Sequence, residues 1–448
     1  MSLRPLAIRR CAFPHGLQRR SLQELSRVSP SRLSPVERRP LQPLPLVSLL
    51  RSLLVLSFAA LPSRLLSFTV STLQRHADKI DTSRLARYLV KRTFYAQYCL
   101  GESAAEVSST IAELRHFGIT GVVLAQAKEA NTNAVKAEQH AVVTDSQLQE
   151  WLRLNLETVR IAEPGDCIAV KYSGAGQNSI KLMKSMSPDQ NLEDYPELKP
   201  LRDAGSQICD AAKAKGVRVL IDAEQQAILN GIDSLAMELM TSFNNGSEVV
   251  VYKTYQMYLK STPSKLLQDL EISRKQGYIA GVKLVRGAYM HFEVDRSTIH
   301  DTKQDTDAAY DAAVTHLLTG KSSLNSTNAA PQWVADVMLA SHNTQSIMEA
   351  LELWRQRPSR SDKSAKGARH LSVAQLLGMA DELSMQLAGH NLSSSEDQVS
   401  VYKYGTWGDP KDCLLYMLRR AEENKDSLAR SRQSQRAILQ ELKCRMVG

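Results

Sequence analysis

The stretch Val-Arg-Val-Leu-Ile-Asp-Ala-Glu-Gln-Gln at residues 217–226 joins a short apolar run to polar residues at its carboxyl end. Runs of this type occur eight times along the chain, at residues 119–124, 167–171, 217–221, 249–252, 282–285, 337–340, 371–375 and 399–402. Continuous apolar runs are typical of strands that are buried on both faces of a parallel sheet. Eight such strands with helix-like segments between them predict an α/β chain folded as a (β/α)8 barrel.

The segments between the runs carry their own signals. Residues 103–106 (Ser-Ala-Ala-Glu) form a capping box, which predicts the start of a helix that ends at Gly118. Segments 320–331 and 355–369 are rich in Ser, Lys, Arg and Asn, which predicts solvated insertions. An open doubly wound sheet is the alternative architecture, but residues 174–179, the nearest match to G-x-G-x-x-G, lack the third glycine.

The distribution of charge divides the chain into two parts. The 448 residues carry a net charge of +9, which by itself would favour nucleic acid or an acidic membrane as partner. Residues 1–75 contain 12 arginines, no lysine and two acidic residues, whereas residues 76–448 contain 44 basic and 45 acidic residues. Arg-rich, Ser-rich and acid-poor composition predicts a mitochondrial targeting leader over 1–75, mostly disordered or removed. We expect 76–448 to be a single barrel domain that does not bind nucleic acid.

The leader also contains an apolar segment, Leu46 to Phe68. Only twelve uncharged residues separate Arg51 from Arg64, whereas a helix needs about 20 apolar residues to span a bilayer. The segment is therefore either a membrane-surface anchor or a sorting signal, and the sequence leaves both readings open.

Polar residues follow the predicted strands at the end of the barrel where the active sites of this architecture lie. They are Lys171, Asp222, Glu224, Gln256, Arg286, His342, Asn343, Gln375 and Tyr404. This set contains a single histidine, and the six cysteines of the chain have no C-x-x-C spacing, so we expect no metal site. It also lacks a serine or cysteine nucleophile beside a base. The pattern predicts a cationic, hydrogen-bonding mouth for an anionic substrate, an anionic cofactor, or both.

A final helix follows the eighth predicted strand. Asp409-Pro410 has the form of an N-cap followed by proline in the first turn, and the helix then presents Tyr416, Arg419 and Arg420. An Arg-Arg pair is more often a solvated charged face. If this helix lies across the barrel mouth, however, its guanidinium groups are well suited to bind a carboxylate.

Six strings in the chain resemble the proline dehydrogenase family, and they occur in the family's order. They are V-R-V-L-I-D-A-E-Q-Q (217–226), Y-K-T-Y-Q-M-Y-L (252–259), V-K-L-V-R-G-A-Y (282–289), L-A-S-H-N (339–343), Q-L-L-G-M-A-D (375–381) and L-R-R-A-E-E-N (418–424). The leader and the form of the third string are similar to mitochondrial, fungal-type members.

The resemblance implies an FAD enzyme on a distorted (β/α)8 barrel, with its last helix laid over the barrel mouth and helices preceding the barrel. It implies oxidation of L-proline to Δ1-pyrroline-5-carboxylate, the first step of proline degradation to glutamate, by hydride transfer to flavin N5. Ubiquinone of the mitochondrial inner membrane is the implied electron acceptor, which places the enzyme in the matrix, associated with that membrane.

The resemblance also implies roles for individual residues. The cationic side chains that bind the proline carboxylate in this family correspond to Arg419, Arg420 and Lys171. Acids that orient or surround this cluster match Asp222 and Glu129. The side chains that pack on the pyrrolidine ring in this family correspond to Tyr404, Tyr416, Tyr289 and Leu376. Flavin contacts match Gln256, Lys283, Arg286, Gly287, His342 and Glu423.

Three alternative functions remain at this stage. Hydroxyproline oxidation is the nearest, although a bulky Tyr404 would crowd a 4-hydroxyl group. The loop 404–408, Tyr-Gly-Thr-Trp-Gly, lacks the proline that the family commonly has there, so this alternative stays open. A barrel lyase that uses Lys171 as a Schiff-base amine is a second possibility. A catalytically inactive scaffold that retains the barrel is the third.

Overall fold

A closed barrel of parallel strands forms the body of the protein. The computed structural model describes residues 39–59, 62–77, 82–127, 145–187, 192–321, 333–356, 367–393, 398–423 and 428–447. Its strands are β1 Cys99–Gly101, β2 Gly121–Gln126, β3 Cys167–Val170, β4 Arg218–Ile221, β5 Val251–Gln256, β6 Ala280–Val285, β7 Val334–Ala340, β8 Gly367–Leu376 and β9 Ser400–Trp407. Strands β2 to β9 pair in sequence order, and β9 pairs with both β8 and β2. This closure confirms the predicted barrel and excludes the open sheet.

Helices alternate with the barrel strands and also flank the barrel at both ends of the chain. They are α1 Leu46–Ala59, α2 Ser63–Arg75, α3 Arg84–Val90, α4 Ala104–His116, α5 Asp145–Ile161, α6 Gln177–Ser185, α7 Lys199–Lys215, α8 Gln226–Phe243, α9 Thr262–Gln276, α10 Lys303–Thr319, α11 Thr344–Arg355, α12 Asp381–Ser393, α13 Pro410–Glu423 and α14 Leu428–Val447. A π-helical turn, Lys91–Tyr95, and the turn Ala96–Tyr98 follow α3. As predicted, the Ser103 hydroxyl accepts from the Glu106 N–H at the start of α4.

The strands are apolar on both faces because they separate two cores. Val123, Leu220, Met338 and Tyr402 pack inside the barrel, and neighbouring strand residues such as Leu124 pack outward against the helices. Burial on both sides explains why the strand sequences are continuous apolar runs rather than alternating ones.

Two features of the sheet depart from the sequence expectations. A short extra strand, β1, pairs with the end of β9. Strand β8 begins at Gly367, inside the segment expected to be a solvated insertion. Arg369 lies in this first part of β8 and forms a double ion pair with Asp336 of β7, with N–O distances of 3.0 and 3.1 Å, which stabilises the extension of the strand. Residues 322–332 and 357–366 of the expected insertions lie outside the described residues.

The helices that precede the barrel are packed against it. Leu49 and Leu56 of α1 are buried against Ile438 of α14, and the guanidinium of Arg39 donates to both carboxylate oxygens of Glu441 at 3.1 and 2.9 Å. Part of the predicted leader, within residues 39–59, therefore packs on α14 in this structure. Residues 1–38 lie outside the described residues.

Helices α1 and α2 also bear on the membrane question. Within the part of the chain that the structure describes, no helix combines the length and apolar character needed to cross a bilayer.

Candidate active site

Three polar side chains from three other barrel strands surround Asp222 at the mouth of the barrel. This residue follows β4, and its carboxylate accepts from the Tyr404 hydroxyl at 2.8 Å and from the Lys283 ammonium at 2.5 Å. The Lys171 ammonium, which follows β3, lies 3.9 Å from the same carboxylate and donates to the Tyr404 hydroxyl at 3.2 Å. We call Asp222, Lys283, Lys171 and Tyr404 the Asp222 cluster.

Positive charge dominates the electrostatics of this cluster. Burial of Asp222 favours its neutral form, but the ammonium groups of Lys283 and Lys171 outweigh burial and hold the pKa of this carboxyl below its usual value. The Lys171 ammonium also lies 5.8 and 5.7 Å from the ring centres of Tyr404 and Tyr416, and aromatic faces attract a cation. The mouth therefore holds one carboxylate and two ammonium groups close together.

The end of strand β8 lies next to the Asp222 cluster and contacts His342. Leu376, its last residue, pairs in register with Tyr404 of β9. The Leu376 N–H donates to Nε2 of His342 at 3.0 Å. An Nε2 that accepts a hydrogen bond carries no proton, so His342 is the neutral tautomer protonated at Nδ1. The ring is thus fixed by the backbone of the adjacent strand end.

Residues matched to the flavin lie on the neighbouring strands. The Gln256 amide, at the end of β5, donates to the Glu224 carbonyl at 2.8 Å. Arg286, directly after β6, donates to Asp307 at 2.5 Å, lies 4.2 Å over the ring of Tyr310, and donates to two serine hydroxyls, those of Ser341 and Ser346. Three of its five N–H groups therefore have protein acceptors, and the position of the guanidinium is fixed before any ligand binds.

Gly287 follows Arg286 and is required by the backbone. Its φ is +122°, a conformation that side chains rarely adopt, and a Cβ atom there would lie 2.0 Å from Cδ1 of Tyr258. The glycine thus permits the sharp turn by which the chain leaves β6.

Glu224 is a residue of the strand-end set for which the sequence predicts no role. It is buried and accepts from the Ser173 N–H at 3.0 Å, and also from the Ser173 hydroxyl. Ser173 lies two residues after Lys171, and Glu224 two residues after Asp222. The pair therefore ties together the two loops that carry the Asp222 cluster. Position at a strand end was the only sequence signal for it.

Two cavities lie near these elements. One of about 390 Å³ is lined by Lys171 together with Gln126, Trp151 and Gly176. A larger one, about 650 Å³, lies outside the barrel wall between α1 and α4 and is lined by Arg51 but by no residue of the Asp222 cluster. The smaller cavity is the one that adjoins the charged mouth.

The profile of a family described as "Proline dehydrogenase" matches residues 107–433, which is most of the chain. The chain belongs to the proline dehydrogenase family. Its fold and its oxidoreductase class, acting on proline, are thereby confirmed, and the lyase and scaffold alternatives lose their support.

Individual relatives and solved structures agree with the family assignment. The chain is 27% identical over 415 residues to "Probable proline dehydrogenase, mitochondrial" of Schizosaccharomyces pombe, covering 82% of each chain. It is 28% identical over 437 residues to "Hydroxyproline dehydrogenase" of Bos taurus, covering 89% of this chain and 90% of the relative. Proline utilization A from Bdellovibrio bacteriovorus superimposes with a TM-score of 0.61 at 18% identity, covering 82% of this chain but only 38% of that one. At this identity the structural match shows the fold alone.

Not every residue matched to the proline dehydrogenase family lies in the Asp222 cluster. Tyr289 is buried in a separate apolar group with Tyr258, Leu259 and Ile299. Glu129 lies outside the described residues.

The two arginines lie on the helix that was expected over the mouth. Arg419, Arg420 and Glu423 occupy the last turns of α13, whose backbone is described, while their side chains lie outside the description. As predicted, the Asp409 carboxylate caps this helix by accepting from the Lys411 N–H at 2.9 Å. Tyr416, on the same helix, reaches Lys171, which places α13 at the mouth.

Metal ligands were not expected in this site. Over the described ranges, no group of three or more His, Cys, Asp or Glu side chains is arranged to hold a metal ion.

Proposed function

We propose that this protein oxidises L-proline to Δ1-pyrroline-5-carboxylate with FAD as its cofactor and ubiquinone as the electron acceptor. The observation that carries the proposal is the Asp222 cluster, which places two ammonium groups under α13 at the mouth of a proline dehydrogenase barrel. Such a mouth is suited to a small substrate with a carboxylate.

The residues present fit a flavin. The ends of β5 and β6 supply an amide at Gln256 and cations at Lys283 and Arg286, and these are donors that suit the carbonyl and phosphate oxygens of FAD. His342 follows β7 and is fixed as a neutral ring. When bound, FAD supplies the chemistry of the reaction by accepting a hydride at N5. We propose that these four residues, with Gly287 and Glu423, hold it.

The chain's own residues position the substrate. We propose that Lys171, Arg419 and Arg420 bind the carboxylate of proline. Asp222 holds the ammonium groups of Lys171 and Lys283 in place and compensates part of their charge. Fixing both the substrate and the cofactor in this way accelerates a transfer by proximity and orientation.

The cationic mouth also acts on the amine of the substrate. Two ammonium groups near the pyrrolidine nitrogen disfavour its protonated form, because like charges repel. The neutral amine is the form from which a hydride can leave. We therefore propose that no dedicated general base is needed. We also propose that Tyr416 and Leu376 contribute apolar surface that excludes water from the substrate.

Tyr404 favours proline over hydroxyproline. Its hydroxyl is held by Asp222 at 2.8 Å and by Lys171 at 3.2 Å, so the ring cannot swing away without breaking both bonds. A fixed phenol ring next to Leu376 leaves less room for a 4-hydroxyl group. Hydroxyproline remains the alternative substrate of this protein, because the similar protein from Bos taurus is named hydroxyproline dehydrogenase.

The proposed location is the mitochondrion, at the matrix side of the inner membrane, where ubiquinone is found. Arg-rich residues at the start of the chain support this location, as does the mitochondrial name of the Schizosaccharomyces pombe relative. Because α1 and α2 pack on the barrel, we propose that the removable leader ends before Arg39 and that the catalytic domain includes the residues that follow it.

The test is the colour of the purified protein. The holoenzyme should show the visible absorption of an oxidised flavin, and L-proline should bleach it in the absence of oxygen. Colourless protein after incubation with FAD would refute the proposal. Faster bleaching by hydroxyproline than by proline would favour the alternative substrate, and trapping of a substrate adduct on Lys171 by borohydride would revive the Schiff-base lyase.

A further inference from the structure

Exposed apolar side chains are concentrated on the three helices that precede the barrel. Of the twelve large apolar residues that are exposed among the described residues, nine lie between Leu46 and Leu89. They are Leu46, Val47, Leu50 and Leu54 on α1, Leu65 and Phe68 on α2, and Leu85, Tyr88 and Leu89 on α3. We call these nine residues the N-terminal apolar surface. A concentration of this kind is unusual on a soluble domain and marks an interaction site.

Helices α1 and α2 are also attached to the rest of the protein by their other faces. On α1, Leu49 and Val55 are buried, and the Ser52 hydroxyl donates to Gln97 at 3.1 Å. On α2, Leu66 and Val70 are buried in a cluster with Tyr416 of α13. The surface is therefore an integral part of the folded enzyme.

The three helices are neighbours in space as well as in sequence. Phe58 of α1 contacts Phe94, in the π turn after α3, with ring centres 5.1 Å apart. Both rings pack on the cluster that contains Leu66 of α2. Because that cluster also includes residues of α13, the helices that carry the N-terminal apolar surface adjoin the helix over the barrel mouth.

The exposed charges of the described residues on these helices are positive. In the described residues between 46 and 98 there are seven arginine and lysine side chains and no aspartate or glutamate. Arg64, Arg84 and Arg92 are exposed. Arg87 and Lys91 pair with Glu102 of the barrel body. Apolar residues flanked by exposed cations are the pattern of a helix that lies in the headgroup region of an anionic bilayer.

Four of the hydroxyl groups on these helices and the π turn that follows them are bonded to a carbonyl one turn earlier. Ser57, Thr69, Thr72 and Thr93 each donate to the carbonyl four residues earlier, at 2.7 to 2.8 Å. A hydroxyl with an internal acceptor costs less to remove from water than a free one. The polar residues between the exposed leucines therefore do not oppose contact with lipid.

We propose that the N-terminal apolar surface rests on the anionic lipid surface of the membrane that holds the electron acceptor, without crossing it. The proposal rests on the proposed function, which requires a membrane quinone, and adds which face of the enzyme meets the lipid. A second copy of this chain is a poorer occupant, because a symmetric contact would bring two sets of cations together.

The test compares variants of the full-length holoenzyme for sedimentation with vesicles. One set of vesicles contains phosphatidylcholine with cardiolipin, and the other contains phosphatidylcholine alone. The double variant Leu54→Glu/Phe68→Glu should bind the anionic vesicles at least about tenfold more weakly than the wild type. Val294→Glu is the matched control, because Val294 is an exposed apolar residue in the loop after β6 and should leave binding unchanged.

A second pair of variants tests the charge. The double variant Arg64→Gln/Arg84→Gln should weaken binding to the cardiolipin vesicles several-fold. Its control is Arg160→Gln, which replaces an exposed arginine of barrel helix α5 and should leave this binding unchanged. All variants retain the basic residues before position 39, so a difference between them does not come from that segment.

Proline-dependent reduction of a soluble dye separates this proposal from the proposed function. Dye reduction should be the same in the wild type and the Glu variants, whereas reduction of quinone in vesicles should fall with binding. Unchanged vesicle binding in the double variant, with dye reduction intact, would overturn the docking surface alone. Equal binding of the wild type to both kinds of vesicle, or dimers that only the wild type forms, would also overturn it. Absence of dye reduction in the wild type would refute the proposed function instead.

Discussion

Replacement of Asp222 by asparagine should damage both stability and substrate binding. The carboxylate is buried and carries one close ammonium at 2.5 Å, a second at 3.9 Å and a tyrosine hydroxyl at 2.8 Å. An asparagine removes the negative charge that lies next to Lys283 and Lys171, and its amide N–H group faces a donor that formerly bonded to the carboxylate. Breaking a buried ion pair by removing one partner costs about 3–5 kcal/mol, so the free energy of unfolding should fall by about 3 kcal/mol.

The catalytic consequence should exceed the structural one. Without the Asp222 carboxylate, Lys283 and Tyr404 lose their common acceptor, and Tyr404 no longer holds Lys171 in a fixed position. We expect the KM for L-proline to rise and kcat to fall, together lowering kcat/KM by about 100-fold or more. Steady-state reduction of a dye by L-proline, corrected for flavin content, measures this change. Urea unfolding measures the change in stability.

The chain supplies a matched control in Asp269. This aspartate is buried and accepts from the Lys253 ammonium at 2.7 Å and the Tyr255 hydroxyl at 3.0 Å, but it lies on α9, outside the barrel mouth. Asp269→Asn should destabilise the protein by a similar amount and leave KM unchanged. If Asp222→Asn affects stability and kcat/KM no more than Asp269→Asn does, the positioning role of Asp222 is refuted.

The dependence on pH gives a further check of the same residue. The lysines keep the pKa of Asp222 below its ordinary value in spite of burial. A carboxylate with a lowered pKa stabilises the folded state fully above its unfolded pKa of about 4, and this contribution is lost as the pH falls through the lower folded value. The difference in unfolding free energy between wild type and Asp222→Asn should therefore be constant near neutral pH and shrink below about pH 4.

Three other perturbations follow from the structure. Arg419→Gln and Arg420→Gln should each raise the KM for L-proline about tenfold or more without loss of flavin, since a hydrogen bond to a charged group contributes about 1.5–3 kcal/mol, and an unchanged KM would exclude the carboxylate role. Tyr404→Ser should raise the ratio of hydroxyproline to proline kcat/KM by about tenfold or more, whereas Tyr404→Phe, which keeps the ring but loses the two hydrogen bonds that fix it, should raise the ratio less. Deletion of residues 1–38 should leave the Tm unchanged, but deletion of residues 1–75 should lower it by several degrees or more because Ile438 and Glu441 lose their partners; equal Tm values would place the leader boundary at residue 75.

The local features of the fold could be predicted because they depend on near neighbours in the chain. Strands buried on both faces require apolar residues at every position, so runs such as 217–221 indicated β4 and its counterparts. The caps at Ser103 and Asp409 were visible for the same reason, since a cap acts on an N–H two or three residues away. Once the barrel was recognised, the strand ends located the mouth.

The pairing of side chains within the mouth could not be predicted in this way. Lys283 matches a flavin contact by sequence, yet its ammonium bonds to Asp222, 61 residues earlier in the chain. Tyr289 belongs to a recognised string but packs with Tyr258 and Ile299 instead of joining the Asp222 cluster. Such contacts depend on strand register and loop course across the barrel, which no local pattern specifies.

The sequence by itself determined the barrel, the family and the residue types at its mouth, because repeated strand patterns and strings of strand-end residues carry that information locally. Only the tertiary structure decided how charge is arranged there and which side chains of the helices before the barrel are buried. Composition placed Leu46 to Phe68 in a leader, but burial of Leu49, Val55 and Leu66 joins those helices to the enzyme. Burial and charge pairing are properties of positions in space, and residues far apart in the chain meet only when the barrel closes.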